Sequence, residues 1–461
     1  MKLKSTTIAA SATFPAVSAL AVIRLSGPES FPIMDRVFSF HNRGRSVQNV
    51  PAAVLSLGLV RDGDMVIDEV FAAFFRAPAS FSGEDMAEIT CHGSPFISGR
   101  IMESLVKNGA VPAGPGDFTR RAFINGKMDL TQAEAVSSIM CARSDASLKI
   151  SLDQLFGRER EALDKIKLNL INAIAMVEAD LDFEHGSPDE KYEIIKWINY
   201  TLGDINRLLR GAKKSAVIKN GVRIAIAGKP NTGKSTILNS LLGRDRAIVT
   251  DIAGTTRDTI EEEMIIDSIP FLLADTAGLR EPGDAAEKEG VKRAKDAVSA
   301  SDAVIFAMDS SLPISSEDAG AYAGISAKPH VVVLNKSDLK PVFSTEEAKK
   351  NIGITGPVIP ISAKKGVNME LLKDLLKNMI LSSKAIDNAP DPVVSEARHV
   401  AALEKSALEL REAVVILEKG LGYEKAAEHL KYASGAVSSI TGEIGTDDVL
   451  DAVFKNFCVG K

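Results

Sequence analysis

A glycine-rich turn between a short apolar run and a helix is the feature that most constrains the fold of this chain. Residues 228–235 read Gly-Lys-Pro-Asn-Thr-Gly-Lys-Ser; they follow the run Arg-Ile-Ala-Ile-Ala and precede a leucine-rich helix. Glycines in such a loop let backbone N–H groups approach phosphates, and the helix N-terminus adds partial positive charge. The pattern in this strand–loop–helix setting predicts a phosphate-binding loop at the edge of a parallel α/β sheet.

The side chains of this loop have separate expected roles. Lys234 is expected to reach the β- and γ-phosphates of a nucleotide, and Ser235 to hold Mg²⁺. The loop by itself does not say which base is bound. The predicted phosphate-binding residues are Asn231, Thr232, Gly233, Lys234, Ser235 and Thr236.

Two later motifs point to guanine. Residues 335–338 read Asn-Lys-Ser-Asp after the apolar run 331–334, and residues 362–364 read Ser-Ala-Lys after the run 358–361. The carboxylate of Asp338 can accept two hydrogen bonds, from the N1–H and the 2-amino group of guanine, which adenine does not offer. The alternative, chance loop motifs on a metabolic α/β enzyme, is disfavoured by their order, spacing and strand placement. The predicted base-binding residues are Asn335, Lys336, Asp338, Ser362, Ala363 and Lys364.

Two segments between these motifs have the positions of nucleotide switches. Residues 275–278 read Asp-Thr-Ala-Gly at the end of an apolar run, which would place a carboxylate near Mg²⁺ and a glycine near the γ-phosphate. Residues 254–258 contain two threonines, and a threonine there can close over Mg²⁺ when the γ-phosphate is present. Both segments therefore predict a conformational switch.

The residue after the Asp-x-x-Gly motif is Leu279, where Ras-like enzymes use a glutamine to orient the attacking water. A leucine side chain has no hydrogen-bonding group, so the hydrolytic machinery must come from elsewhere. Two substitutes are open: a cation opposite the phosphates and a more distant carboxylate that aligns water. Asn231 offers a side-chain carbonyl to a monovalent ion.

The flanking regions differ from this module in composition. Residues 1–120 alternate short apolar runs with Gly and Pro, which predicts a small α+β domain. Residues 121–220 and 381–461 carry apolar positions at helical spacing, around 163–181 and 400–417, and each stripe could supply the other's packing partner. Residues 221–380 alternate strands and helices. We therefore predict a multidomain chain: an N-terminal α+β domain, and a helical domain built from two chain segments into which an α/β P-loop G domain is inserted, with a doubly wound, mostly parallel sheet.

Composition excludes several classes of protein. The chain has 45% hydrophobic and 25% charged residues, as globular domains do, and a net charge of −6. No global basic field attracts nucleic acid, so any RNA contact must use a local patch. The three cysteines are too few and scattered for a disulfide framework or a zinc site, which favours the reducing cytoplasm.

The N-terminus superficially resembles a secretory signal, because an uncharged stretch follows two lysines. The stretch contains many Ser and Thr residues and a proline, so a strand over residues 20–25 is the better interpretation. No stretch is apolar enough to span a bilayer, and no membrane partner is expected.

Several motifs outside the nucleotide loop carry a more specific likeness. They are residues 22–28, 80–85, 91–93, 116–127, 129–135, 250–258 and the terminal Phe-Cys-Val-Gly-Lys at 457–461. On these motifs the chain resembles the MnmE/TrmE family of tRNA modification GTPases along nearly its whole length.

The resemblance implies an activity, cofactors and partners for the whole chain. In the family, the N-terminal domain forms a homodimer and binds 5-formyl- or 5,10-methylene-tetrahydrofolate. Together with an FAD-dependent partner subunit in a heterotetramer, the enzyme adds an aminomethyl or carboxymethylaminomethyl group to C5 of the wobble uridine, position 34, of certain tRNAs. GTP hydrolysis depends on K⁺ and Mg²⁺.

The resemblance also implies roles for individual residues. The folate-binding residues are Arg24, Glu84, Lys127 and Lys461, and the catalytic ones are Glu287, which orients water, and Cys458. The K⁺ ligands are Asn231, Thr250, Ile252 and Thr255, and the Mg²⁺ ligands are Ser235 and Thr256. The GTP-binding switch residues are Thr250, Asp251, Ile252, Ala253, Gly254, Thr255, Thr256, Asp275, Thr276, Ala277 and Gly278.

Ordinary structural roles compete with some of these assignments. Cys458 could be a small buried residue instead of lying near folate. Glu287 lies in a charged run, where a solvated helix face is the default. Cys91 and Cys141 are expected in the core.

A second functional class also remains, a ribosome-assembly GTPase switch without one-carbon chemistry. Residues 391–461 contain 8 Lys and Arg against 12 Asp and Glu, and an acidic tail repels phosphates. This balance favours the folate-dependent tRNA-modifying enzyme.

Overall fold

The computed structural model describes residues 6–42, 44–183, 188–243, 261–274, 296–383, 393–443, 447–455 and 457–461. The backbone divides into two compact units. The first comprises residues 1–140, 154–167 and 434–461, and the second comprises residues 141–153 and 168–433.

The helices of the described residues are numbered in chain order. They are α1 (Ser30–Val37), α2 (Pro95–Lys107), α3 (Asp117–Ile124), α4 (Leu130–Met140), α5 (Asp145–Leu155), α6 (Arg158–Phe183), α7 (Pro188–Asn220), α8 (Lys234–Leu242), α9 (Ser316–Ala323), α10 (Thr345–Ile352), α11 (Met369–Ser383), α12 (Ala397–Glu418), α13 (Tyr423–Thr441) and α14 (Asp447–Phe454). None of these helices combines the length and the hydropathy that a membrane span requires.

The first unit contains a seven-stranded sheet. Its strands are β1 (Ile8–Ser11), β2 (Ser18–Ser26), β3 (Phe38–Phe40), β4 (Ser56–Asp62), β5 (Met65–Phe75), β6 (Met86–Gly93) and β7 (Val111–Pro112), in the order β3-β4-β5-β6-β2-β1-β7. All neighbours are antiparallel except β1 and β7. The strand predicted at residues 20–25 is confirmed, because β2 spans Ser18–Ser26.

Helices α1 and α2 cover one face of this sheet. Ile33 and Met34 of α1 and Ile101 and Leu105 of α2 are fully buried in one apolar cluster with the strands. Burying each such side chain stabilises the fold by about 1.5–3 kcal/mol, so these helices fix the sheet face that they cover.

Residues 131–134 read Thr-Gln-Ala-Glu, which has the spacing of a capping box, but the start of α4 differs from this pattern. The sequence predicts a reciprocal pair between Thr131 and Glu134, but the structure places it two residues earlier. Asp129 Oδ1 accepts the backbone N–H of Gln132 at 2.9 Å, and Gln132 Oε1 accepts the N–H of Asp129 at 3.0 Å. The aspartate precedes the helix, and so its carboxylate satisfies the first unpaired donors.

The second unit contains a six-stranded sheet that is mostly parallel. Its strands are β8 (Val222–Ala227), β9 (Glu261–Ile266), β10 (Ile269–Ala274), β11 (Ala303–Asp309), β12 (His330–Asn335) and β13 (Val358–Pro360), in the order β13-β12-β11-β8-β10-β9. Only β9 runs antiparallel to its neighbour. Successive residues of β11 belong to different cores: Ile305 packs with α8 and α11, whereas Phe306 packs with α9 and α10. Helices therefore cover both faces, as buried parallel strands require.

Two helices that flank this sheet in the chain pack against each other. α7 lies along α12, and Lys219 Nζ contacts Glu396 Oε1 at 2.6 Å near their ends. The apolar stripe predicted on α12 is buried at Leu403, Ala407 and Leu410.

Candidate functional site

The loop after β8 has a conformation that its glycines make possible. Gly228, Asn231 and Gly233 have φ values of 140°, 63° and 90°. A Cβ on Gly228 would lie 2.2 Å from the backbone oxygen of Ala307, and one on Gly233 would lie 2.4 Å from Asn335 Nδ2. Both positions therefore need glycine for space as well as for backbone conformation.

The loop closes around its lysine. Lys234 Nζ donates to the backbone oxygens of Gly228 at 2.9 Å and Lys229 at 2.7 Å. Thr232 Oγ1 donates to the same oxygen of Lys229 at 2.9 Å. The ammonium of Lys234 is thus held inside the curve of the loop. Ser235, at the start of α8, is exposed to solvent. This arrangement concentrates positive charge where a polyphosphate would bind.

Asn335 connects three segments of the site. It ends β12 and is 3% exposed. Its Nδ2 donates to the backbone oxygen of Thr232 at 2.9 Å, and its Oδ1 accepts the backbone N–H of Ala363 at 3.1 Å. One side-chain amide therefore fixes the phosphate loop relative to the loop that contains Ser362 and Lys364.

Asp338 lies exposed at the edge of the sheet with its charge stabilised. Ser362 Oγ donates to Asp338 Oδ1 at 2.6 Å. This hydrogen bond, aided by the nearby Lys365 and Lys364, holds the pKa of Asp338 below its ordinary value. The side chain is therefore an ionised acceptor, the form that two N–H donors of guanine require.

Lys336 and two residues that the sequence analysis did not single out support this edge. Lys336, at φ 65°, contacts Asp309 Oδ2 through Nζ at 2.6 Å. Burial opposes ionisation of Asp309, but hydrogen bonds from Lys336 and Ser311 outweigh it and lower the pKa of that carboxyl. Lys229 Nζ similarly contacts Asp318 Oδ2 at 2.8 Å. The position of Asp309 at the end of the apolar strand β11 is the sequence feature that could have indicated its pairing with Lys336.

Arg24 and the C-terminal tail meet in the first unit. Arg24 Nε contacts Glu88 Oε1 at 2.7 Å, and Arg24 NH1 lies 3.4 Å from the backbone oxygen of Gly460. Gly460 has φ 92°, and a Cβ there would lie 2.5 Å from the backbone oxygen of Ser11. Burial and the neighbouring Arg24 lower the pKa of Lys461 below its ordinary value. The structure thus brings Arg24 and Lys461 together.

Glu84 is held by a buried arginine close to the same sheet face. Glu84 Oε2 accepts from Ser26 Oγ at 2.8 Å and from Arg121 NH1 at 2.7 Å. Arg121 is only 2% exposed. Because Arg24 and Ser26 are two residues apart on β2, their side chains lie on one face of the sheet. Lys127 contacts the loop between β5 and β6 that also contains Glu84: its Nζ donates to the backbone oxygen of Pro78 at 2.9 Å.

The cysteines divide between buried and exposed positions. Cys91 is buried, as predicted. The prediction that Cys141 lies in the core is wrong, because α4 ends at Met140 and leaves Cys141 exposed. Cys458 is exposed on the tail, which contradicts the alternative of a small buried residue.

Some predicted site residues lie outside the described residues. They are Thr250, Asp251, Ile252, Ala253, Gly254, Thr255, Thr256, Asp275, Thr276, Ala277, Gly278, Leu279 and Glu287. Within the part of the chain that is described, no group of three or more His, Cys, Asp or Glu side chains could hold a metal ion. The hydroxyl of Ser235 and the side-chain amide oxygen of Asn231, both exposed within the phosphate loop, suit cations that prefer oxygen ligands and also bind a nucleotide.

A mostly parallel sheet with a phosphate loop after β8, Asn335 and Asp338 after β12, and Ser362 after β13 defines a P-loop GTPase. The chain matches the GTP-binding protein TrmE N-terminus over residues 7–127 and the MnmE helical domain over residues 130–458. It therefore belongs to the MnmE/TrmE family of tRNA modification GTPases.

Individual relatives match the whole chain. The tRNA modification GTPase MnmE of Thermotoga maritima is 38% identical over 456 residues, which covers 99% of this chain and 100% of the relative. That of Aquifex aeolicus is 39% identical over 458 residues, covering 98% and 99%. Among solved structures, an Aquifex aeolicus Era variant bound to GDP and AlF4⁻ is 27% identical and covers 41% of this chain and 66% of its own, with a TM-score of 0.28.

Proposed function

We propose that this chain hydrolyses GTP in a tRNA modification reaction. With an FAD-dependent partner subunit, it adds an aminomethyl or carboxymethylaminomethyl group to C5 of the wobble uridine of certain tRNAs, using a tetrahydrofolate one-carbon donor. The observation that carries the proposal is the ionised Asp338 three residues after Asn335, which binds the phosphate loop, in a chain with full-length relatives of this activity.

The proposed roles in the GTP site follow from charge. Lys234 binds the β- and γ-phosphates, and Asp338 selects guanine by accepting its two N–H donors. The proposed Mg²⁺ ligands are Ser235 and Thr256; the proposed K⁺ ligands are Asn231, Thr250, Ile252 and Thr255; the remaining proposed GTP contacts are Asp251, Ala253, Gly254, Asp275, Thr276, Ala277 and Gly278. Because the side chain of Leu279 offers no hydrogen bond, the positive charge opposite the phosphates would come from K⁺ held by Asn231 and the other proposed ligands, and Glu287 would orient the attacking water.

The potassium assignment has a direct test. GTP turnover by the full chain should rise sharply when K⁺ replaces Na⁺ at constant ionic strength, because K⁺ held by these ligands would supply positive charge to the developing charge on the phosphates. Equal rates in the two salts would overturn this part of the proposal.

The proposed folate site uses the charged residues of the first unit. Arg24, Lys461, Lys127 and Glu84 would hold the folate: the three cations suit its carboxylates, and the carboxylate of Glu84 suits the N–H groups of its pterin ring. Arg121 keeps Glu84 in the acceptor orientation. Folate, when bound, supplies the one-carbon unit. Cys458 is proposed to act beside it, because it is exposed on the same tail as Lys461.

The proposed domain boundaries are 1–120, 121–220, 221–380 and 381–461, with one helical domain formed by the second and fourth segments. The packing of α7 on α12 supports this arrangement. We further propose a homodimer that joins the FAD-dependent subunit in a heterotetramer. The free cysteines fit a cytoplasmic location.

A ribosome-assembly switch is the competing function, and the acidic segment 391–461 disfavours it. Nucleoside analysis of tRNA from cells that lack this chain separates the two. The tRNA-modification proposal expects loss of the C5 group at the wobble uridine, restored by the wild-type chain. Unchanged wobble uridine in those cells would contradict it.

A further inference from the structure

Helix α7 carries an exposed stripe of tyrosines and cations. Its members, which we call the α7 stripe, are exposed except for the partly buried Lys214; they are Tyr192, Lys196, Tyr200, Arg207, Arg210 and Lys214. Their spacings of three, four and seven residues place them along one side of the helix. Tyr192 is 67% exposed and Tyr200 is 54% exposed, far more than packing requires.

The opposite side of α7 provides its packing. Ile194, Ile198 and Ile205 are fully buried there, and the helix lies along α12. The α7 stripe therefore contributes little to the core, and its aromatic and cationic side chains call for another explanation.

The charge of the α7 stripe is of one sign. It contains four cations and no carboxylate, whereas the whole chain has a net charge of −6. Glu193, on the neighbouring side of the helix, pairs with Lys196 at 3.1 Å. In the described part of the chain, Arg207, Arg210 and Lys214 form no salt bridge. This is the local positive patch that an acidic chain needs in order to hold a polyanion.

We propose that the α7 stripe is a tRNA-binding surface. Its cations contact backbone phosphates, and Tyr192 and Tyr200 stack on unpaired bases. From Tyr192 to Lys214 the stripe is about 33 Å long, enough to follow several phosphates. Cations combined with exposed aromatic rings are typical of single-stranded RNA recognition, whereas an acidic protein partner would need the cations alone. The inference rests on the proposed function, which makes tRNA the substrate.

Reversing two of the cations tests the electrostatic part. The full chain carrying Arg207→Glu and Arg210→Glu should bind a fluorescent tRNA with uridine at the wobble position at least tenfold more weakly. The slope of log affinity against log salt should fall by about two, because two phosphate contacts are lost. Lys349→Glu with Lys350→Glu, on exposed positions of α10, makes the same charge change and should leave binding within twofold. GTP hydrolysis should be unchanged in both variants.

Removing the rings tests the stacking part. Tyr192→Ala with Tyr200→Ala should weaken tRNA binding by roughly tenfold without changing the salt slope, and phenylalanine at both positions should restore it. Binding equal to the wild type in both sets of variants overturns the inference. The inference is also overturned if the charge-reversal variant binds tRNA normally and loses only its binding to the FAD-dependent subunit. These results leave the proposed function intact, whereas unchanged wobble uridine in cells lacking the chain contradicts the function itself.

Discussion

The phosphate loop differs from the charged cluster of the first unit, by which we mean Arg24, Glu84, Glu88 and Lys461, in how its residues are held together. Eight consecutive residues form the loop, and backbone conformations at Gly228 and Gly233 determine its shape. The cluster instead joins residues that are distant in the chain, since Arg24 meets Glu88 across two strands and Gly460 at the C-terminal tail. The loop should therefore be sensitive to a single added carbon, and the cluster to changes in charge or in the position of the tail.

The largest expected effect is at Gly228. Gly228→Val places a Cβ against the backbone oxygen of Ala307 in a φ region that only glycine adopts readily, which costs more than about 3 kcal/mol. GTP affinity, measured by calorimetry, should fall more than about 100-fold. Folate binding should be unchanged. Gly320→Ala in α9, where a Cβ meets nothing within 4 Å, is the control and should leave both ligands bound normally. Normal GTP binding by the valine variant would show that the loop tolerates a different conformation.

The next effect concerns the choice of base. Asp338→Asn replaces two acceptors with one acceptor and one donor, so GTP affinity should fall by roughly 100-fold and xanthosine triphosphate should bind better than GTP. Competition between the two nucleotides measures the change. Glu346→Gln, an exposed carboxylate on α10, should retain the preference for guanine. An unchanged preference in the Asp338 variant would remove this residue from base recognition.

The two regions also differ in how far the sequence predicts them. The loop is local: the spacing of Gly228, Gly233 and Lys234 determines both the conformation and the ligand class. The cluster is not local, because nothing in the residues around Arg24 indicates that Gly460 returns to it. Only the resemblance to a family pointed to Arg24 and Lys461 together. Arg121 was not identified, since a buried arginine has no sequence signal until its partner Glu84 is known. The cap of α4 was also predicted at the wrong residues. The patterns Asp129-x-x-Gln132 and Thr131-x-x-Glu134 overlap, and only the structure shows that Asp129 is the residue before the helix.

A smaller effect is expected at the tail. Gly460→Ala forces a Cβ toward the backbone oxygen of Ser11 at a positive φ, with a cost of about 1–3 kcal/mol that displaces Lys461. Folate affinity should fall about tenfold, while GTP affinity should not change. Gly99→Ala in α2, which has open space, is the matched control in the same unit. Equal folate binding by all three proteins would separate the tail from the folate site.

The smallest effect is a dependence on pH that distinguishes Lys461 from an ordinary surface lysine. Burial, followed by the charge of Arg24, lowers its pKa in the folded chain. As pH rises, Lys461 should lose its proton below the ordinary lysine value of about 10.4, and folate affinity should fall with it. Lys461→Arg keeps its charge, so its affinity should stay level over the same range. The sign for stability is opposite: the unfolded chain binds more protons between the lowered and the ordinary pKa, so the free energy of unfolding should rise with pH there. Urea titrations across that window check this sign, and a parallel decline of folate affinity in both proteins would assign the titration to another group.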